Sequence, residues 1–166
     1  MDLSSNIGLF TDYGLRLIVA TFLGAVIGFD RQLKKRPAGL RTHMVLSLAA
    51  ALFTVLTLEL HAELSAQMKI GADPIRIIEA ITVGVSFLAA GTIIRSGRHV
   101  EGLTTGAGMW LAGAVGLACG LERYALAVLG AILAVIILVL LIRVESWISR
   151  TSEETAVKTI GQKKER

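Results

Sequence analysis

A single cysteine, Cys119, is all the thiol chemistry this chain holds. One thiol cannot close an internal disulfide, and a cysteine-based zinc site is excluded with it. Cys119 lies in an apolar run, where a packed, inert thiol is expected. Charge is scarce as well: Asp, Glu, Lys and Arg make up 18% of the 166 residues, against about a quarter in soluble proteins. Long stretches carry none of it, and the connecting segments carry nearly all. The opening MDLSSNIGLFTDYG has Asp2 and Asp12 and no basic residue before the first apolar run, so no cleavable signal peptide is expected. No Walker loop, zincin helix or nucleophile elbow occurs, and no enzyme activity is expected. His43, His61 and His99 are widely spaced, so no shared metal site is assigned; the metal question stays open, and no cofactor is implied.

What the chain has in quantity is apolar surface. It is 54% hydrophobic with a mean hydropathy of +0.67, and this marks an integral membrane protein. The expected fold class is all-α: a polytopic membrane protein of about five transmembrane helices. The spans fall near Gly14–Phe29, Met44–Leu60, Ile75–Ile94, Leu103–Leu121 and Tyr124–Ile142. A span needs roughly 20 apolar residues, so the first and fourth should extend into their flanks. The fifth, YALAVLGAILAVIILVLLI, has no polar side chain after Tyr124 and should lie largely against lipid. One transmembrane domain, residues 1–148, accounts for the chain, with a polar cytosolic tail over 149–166.

Orientation follows from Lys and Arg, which concentrate on the cytosolic side. If the loop after the first span is inside, Arg31, Lys34, Lys35, Arg36, Arg41, Arg95 and Arg98 share that side with the tail, against Arg16, Lys69, Arg76 and Arg123 outside. The N-terminus is then outside and the C-terminus inside. A pI near 9.6 would suggest nucleic acid in a soluble chain. Here the basic residues flank apolar helices, so anionic lipid is the expected partner and nucleic acid is not. Leu58–Ala72 reads as a short amphipathic helix at the outer interface, with Leu60, Leu64 and Met68 on one face. Asp73-Pro74 then opens the third span as N-cap and first helical residue. Trp147 reads as an interface anchor and Trp110 as a space-filler within the bundle.

Charge inside a span costs about 2.5–3.5 kcal/mol or more at the helix centre, so each case needs a reason. Two groups stand out. At the inner side, Asp30, Arg31, Arg41, Thr42, Arg95, Thr104 and Thr105 are brought to one membrane face by the topology. Helix starts there favour an anion. The group can form a polar pocket for a phosphate-bearing group such as a lipid headgroup, with Asp30 orienting the arginines. Alternatively Asp30 pairs with Arg41 or Arg95 and merely locks helix ends. At the outer side stand Arg16, Asp73, Arg76 and Glu79. An Arg16–Glu79 ion pair tying two helices is the favoured reading, with Asp73 as a helix cap. The other is an ion path running from Glu79 past Thr82 and Ser86.

Small residues recur at helical spacing: Gly24/Gly28, Ala80/Gly84, Gly102/Gly106, and Gly106, Gly113 and Gly120 seven apart. Such stripes let helices approach closely. They serve either an intramolecular core or a homodimer seam, and the small number of spans favours a homodimer.

The stretches GAVIGFDRQLKKRPAGLRTHMVLSLAAALF and DPIRIIEAITVGVSFLAAGTIIRSGRHVEGLTTGAGMWLAGAVGLACG resemble, in order and spacing, the MgtC/SapB family of bacterial inner-membrane proteins. The resemblance covers most of Gly24–Gly120. It implies a multi-pass protein of the bacterial inner membrane with about five spans, in the short form without the cytosolic C-terminal domain that some members add. It also implies a regulatory role linked to magnesium limitation and membrane energetics. The family's marked positions fall on Asp30 and Arg31; on Pro37, Gly39, Leu40, Arg41 and Thr42; on Asp73, Pro74 and Arg76; and on Gly102, Leu103, Thr104, Thr105 and Trp110. The chain departs from the family pattern at Asp30, where Glu is usual, at Ser86 and Ala89, which replace glycines, at Glu79, and in the run after GLTT.

Three functions fit these features. The first is a regulatory or binding protein acting through an anionic lipid or another membrane protein. The second is a transporter or channel for Mg2+ or another ion, for which the basic inner exit is a poor match because it repels a divalent cation. The third is an anion or lipid-headgroup transporter.

Overall fold

The computed structural model describes residues 3–68, 75–96 and 99–140. In chain order these form α1 (Leu3–Leu33), α2 (Leu40–Met68), α3 (Ile75–Ala90), a hairpin of β1 (Ile94–Ser96) and β2 (His99–Glu101), α4 (Leu103–Gly120) and α5 (Tyr124–Leu140). The chain is an all-α polytopic membrane protein. Among the described residues, three helices are long and apolar enough to cross a bilayer, over Thr11–Leu33, Leu40–Leu64 and Leu103–Gly120, and α5 is an apolar helix of 17 residues as far as it is described. The C-terminal end of the fifth span (141–142), Trp147, the tail over 149–166, Arg98, residues 69–72 of the expected amphipathic helix and Asp73-Pro74 lie outside the described residues.

The helix boundaries differ from expectation in three places. First, α1 and α2 have 31 and 29 residues, about 45 Å each, longer than the hydrocarbon core. Second, Leu58–Met68 is not a separate interfacial helix but the continuation of α2; no proline or glycine interrupts the turns, and propagation is easier than a fresh nucleus. Third, α3 stops at Ala90. The last turn tightens through Thr92 N–H to Ala89 C=O at 3.0 Å and Ile93 N–H to Ala90 C=O at 3.0 Å, and the chain then turns into the hairpin. There Ile94 lies opposite Glu101, Arg95 opposite Val100 and Ser96 opposite His99. Gly102 carries the chain out of β2 into α4 at φ 87°, a conformation glycine adopts without strain.

The centre of the bundle is α1, α2 and α4, which pack on one another; α3 lies mainly on α4. Glycine makes this possible. A Cβ on Gly24 would stand 2.6 Å from the His43 carbonyl oxygen, and one on Gly28 would stand 2.9 Å from Leu40 Cα. A Cβ on Gly116 would run into the Ser47 backbone, and one on Gly120 would stand 2.6 Å from Thr54 Cβ. The expected stripes are thus used inside the molecule, α1 against α2 and α4 against α2. On α4, Gly113 also receives Val85 of α3, and Gly106 lies against Ala89. Close backbone approach gives dispersion contact in a solvent that supplies no hydrophobic drive between helices. α5 turns Ala127, Ala131 and Ala134 to the core, at i, i+4 and i+7, and exposes Leu126, Leu129, Ile132, Leu133, Ile136 and Ile137. The expectation of a lipid-facing fifth helix describes that second surface.

Candidate functional site

Four helix ends and the hairpin meet at one end of the bundle. α1 closes there with Lys34 N–H to Asp30 C=O, 3.1 Å, and Arg36 N–H to Arg31 C=O, 3.0 Å, and with Lys35 in the left-handed region at φ 52°. Pro37 and Gly39 then lead into α2. The Gln32 side chain reaches across this turn and accepts from the Leu40 N–H at 3.4 Å. α4 starts beside this turn, with Gly106 N–H bonded to Gly102 C=O at 2.8 Å.

The side chain that joins these ends is Arg31. It is 3% exposed. Its Nη2 donates to Oγ1 of Thr105, in the first turn of α4, and its Nε–H has no hydrogen-bond partner among the described residues. Of the charged neighbours acting on it, Arg36 repels and Asp30 attracts. Asp30, however, is held by Lys34, with Nζ at 2.7 Å from the carboxylate. The expected pairing of Asp30 with Arg41 or Arg95 is therefore not the one formed; a partner four residues along the same helix surface is nearer than either.

Sequence reasoning missed His43. It is fully buried, with Nδ1 2.8 Å from the Gly39 carbonyl oxygen. That carbonyl can only accept, so Nδ1 carries a proton and donates it. Nε2 points at Gly108, where an added Cβ would stand 3.2 Å away and 3.6 Å from Arg31 Cδ. Ser47, one turn further along α2, is also fully buried and its Oγ has no partner among the described residues. Arg31, His43, Ser47 and Thr105 thus make a polar seam through three helices. The legible signal was the face His43, Ser47, Ala50/Ala51, Thr54, small or polar at helical spacing within an apolar helix.

The remaining inner-side candidates stand around this seam rather than in it. Arg41, Thr42 and Thr104 are exposed, as are Lys35 and Arg36. Arg95 lies on the hairpin, opposite Val100. The structure therefore brings the cluster to one end, with Arg31 and Thr105 inside and the others as a basic collar.

The outer group is rearranged. Arg16 does not pair with Glu79. Its Nη2 lies 2.5 Å from the Asp12 carboxylate and also contacts Glu122. Nη1 donates to the Gly120 carbonyl at 3.2 Å, and the guanidinium lies 5.6 Å from the centre of the Tyr13 ring. Arg16 thus satisfies the C-terminal carbonyl of α4 and clasps the turn before α5, where Glu122 has φ 61°. Glu79 and Arg76 are exposed on α3, and Asp73 is outside the described residues. Ser86 donates to the Thr82 carbonyl at 2.7 Å, as expected if these residues serve the backbone. Trp110 does not fill the bundle: it is 47% exposed and borders an apolar groove of about 140 Å3 with Ile78, Ile81, Val85, Gly113 and Leu117. Cys119 is fully buried. Among the described residues, no three His, Cys, Asp or Glu side chains gather in a metal-holding group.

The family model described as "MgtC family" matches residues 17–147. The chain is 33% identical over 127 residues to the Escherichia coli protein named "Putative magnesium transporter YhiD", covering 76% of this chain and 59% of that one. It is 38% identical over 114 residues to "Protein SapB" of Bacillus subtilis, covering 68% and 49%. It is 39% identical over 112 residues to "Protein MgtC" of Salmonella typhimurium, covering 68% and 45%. The chain thus spans about half the length of these curated relatives. No solved structure matches.

Proposed function

Because the chain belongs to the MgtC family, we propose that it is a regulatory binding protein of the bacterial inner membrane. It crosses that membrane several times, N-terminus outside and C-terminus inside, and its ligand is an anionic group, a lipid headgroup, taken at the cytosolic end of the bundle. One observation carries this reading: Arg31 is a buried cation that donates to a neutral hydroxyl, and among the described residues no carboxylate pairs with it. Buried charges are ordinarily paired, and an unpaired one is held at a cost of several kcal/mol. Its neighbouring carboxylate, Asp30, is engaged by Lys34, and Arg36 and Arg41 are exposed at the same end of the bundle. An anion seated on Arg36 and Arg41 lowers the energy of the whole group. Arg31 lends charge from beneath without touching the ligand.

The setting is magnesium limitation and membrane energetics, as the resemblance implies; the magnesium link also appears in the name of YhiD. The test is lipid retention. The purified chain, released from membranes containing phosphatidylglycerol and phosphatidylethanolamine, is examined by native mass spectrometry. Selective retention of phosphatidylglycerol, weakened in Arg41→Gln and unchanged in Arg123→Gln, is expected. Equal retention of both lipids in every variant overturns the reading.

The name of YhiD favours a second reading, transport of Mg2+. It needs carboxylates along a path, and Asp12 and Glu122 are engaged by Arg16 while Glu79 lies on an outward surface. Mg2+ uptake into proteoliposomes, abolished by Glu79→Gln, would establish transport in place of regulation.

A further inference from the structure

The glycines expected to serve a homodimer are already engaged within the molecule, with one exception. Cβ atoms added to Gly24, Gly28, Gly106, Gly113, Gly116 or Gly120 would all meet another helix, whereas one on Gly84 of α3 would meet nothing within 4 Å. α3 is also thinly covered: Val85 and Ala89 are its buried residues. At 100° per residue, Arg76, Glu79, Ala80, Val83, Phe87 and Ala90 fall on the side away from those two, and all six are exposed. Phe87 is 80% exposed and Val83 69%.

This surface differs from the lipid-facing side of α5, where the exposed residues between Ala125 and Leu140 are all aliphatic and uncharged. It carries one cation and one anion three residues apart, and neither takes part in an ion pair among the described residues. Charges on an apolar helix face are expensive where lipid covers them, and a partner of opposite sign removes that cost. The pattern also selects the partner. A two-fold axis along the membrane normal holds each residue at the depth of its counterpart. It places residue i against j and j against i, so an Arg–Glu pair at spacing three completes itself twice against an identical surface. Ala80 lets the two helices approach at the level of the pairs.

We propose that the chain pairs with a second copy of itself along the outward face of α3, Arg76 of each copy meeting Glu79 of the other. The pairing is independent of any ligand at the opposite end of the bundle.

The test uses the full chain in proteoliposomes. In a Cys119→Ala background, single cysteines are placed at Ala80, Val83 and Phe87 on α3 and at Leu129 and Leu133 on α5, and oxidised. Disulfide-linked dimers at one or more α3 positions, with none at the α5 positions, are expected. Charge reversal gives the second reading. Arg76→Glu and Glu79→Arg should each weaken association roughly tenfold, the scale of one interhelical polar contact, and the two together should restore it. A monomer under all conditions, cross-linking confined to α5, or association indifferent to the single reversals overturns the proposal. So does a paired reversal that fails to restore it. The charge-reversal and cysteine positions are all exposed; Cys119→Ala is the one change in the core, and it is common to every cysteine variant compared.

Discussion

Nη2 of Arg31 donates to Oγ1 of Thr105 within the protein interior, tying the last turn of α1 to the first turn of α4. Thr105 is 1% exposed, so the bond is made away from bulk solvent. Thr105→Val keeps the shape and deletes the acceptor. The expected loss is about 1–3 kcal/mol, the cost of leaving a buried donor unsatisfied. Denaturant unfolding of the purified protein in mixed micelles measures it, and Thr104→Val, at an exposed neighbour, should change stability by under about 0.5 kcal/mol.

Two glycines in membrane helices should respond in opposite ways to one methyl group. Gly116→Ala drives a methyl into the Ser47 backbone and should destabilise by about 1–3 kcal/mol, because a close-packed helix pair cannot yield locally. Gly14→Ala has nothing within 4 Å and should be neutral or stabilising by about 0.5–1 kcal/mol through helix propensity. The same unfolding measurement reads both.

Removing Arg16 releases the turn between α4 and α5. Arg16→Gln loses the ion pairs with Asp12 and Glu122 and the bond to Gly120. Both carboxylates are about half exposed, so screening leaves the effect on global stability near 1 kcal/mol. The local effect is larger: hydrogen exchange at residues 120–124 should rise at least about tenfold, since each 1.4 kcal/mol of local opening is a factor of ten. Glu79→Gln should leave those amides unchanged, where an Arg16–Glu79 tie would have made the two variants alike.

The parts legible before any coordinates were those set by the solvent. Apolar runs of span length, glycine spacing and the Lys/Arg bias each reflect the bilayer, and they mark five helices and the gathering of Arg31, Arg41, Thr42, Thr104 and Thr105 at one end. What was not legible depended on choices between near-equal partners. Arg16 had Glu79 at a plausible depth, but Asp12 stands one turn away and Glu122 sits on a left-handed turn residue that no apolar pattern marks. Asp30 likewise had two arginines in prospect and took Lys34 at i+4. The hairpin escaped notice because Ile93-Ile94 extends the apolar run of α3, and hydropathy does not separate a helix from the strand that continues it. His43 has no other histidine near it in the sequence to mark it as a site, and its neighbours in the fold are an arginine, a serine and glycines.

In the proposed function, the charge of Arg31 acts on an anion that Arg31 does not touch. The most direct measurement is phosphatidylglycerol affinity, by native mass-spectrometric titration, for the wild type, Arg31→Lys and Arg31→Met, each shown to be folded by its thermal transition. Removing the charge should weaken binding about fivefold to tenfold, an energy near 1–1.4 kcal/mol, while Arg31→Lys retains most of the affinity. A folded Arg31→Met protein that binds phosphatidylglycerol as tightly as the wild type would contradict the account.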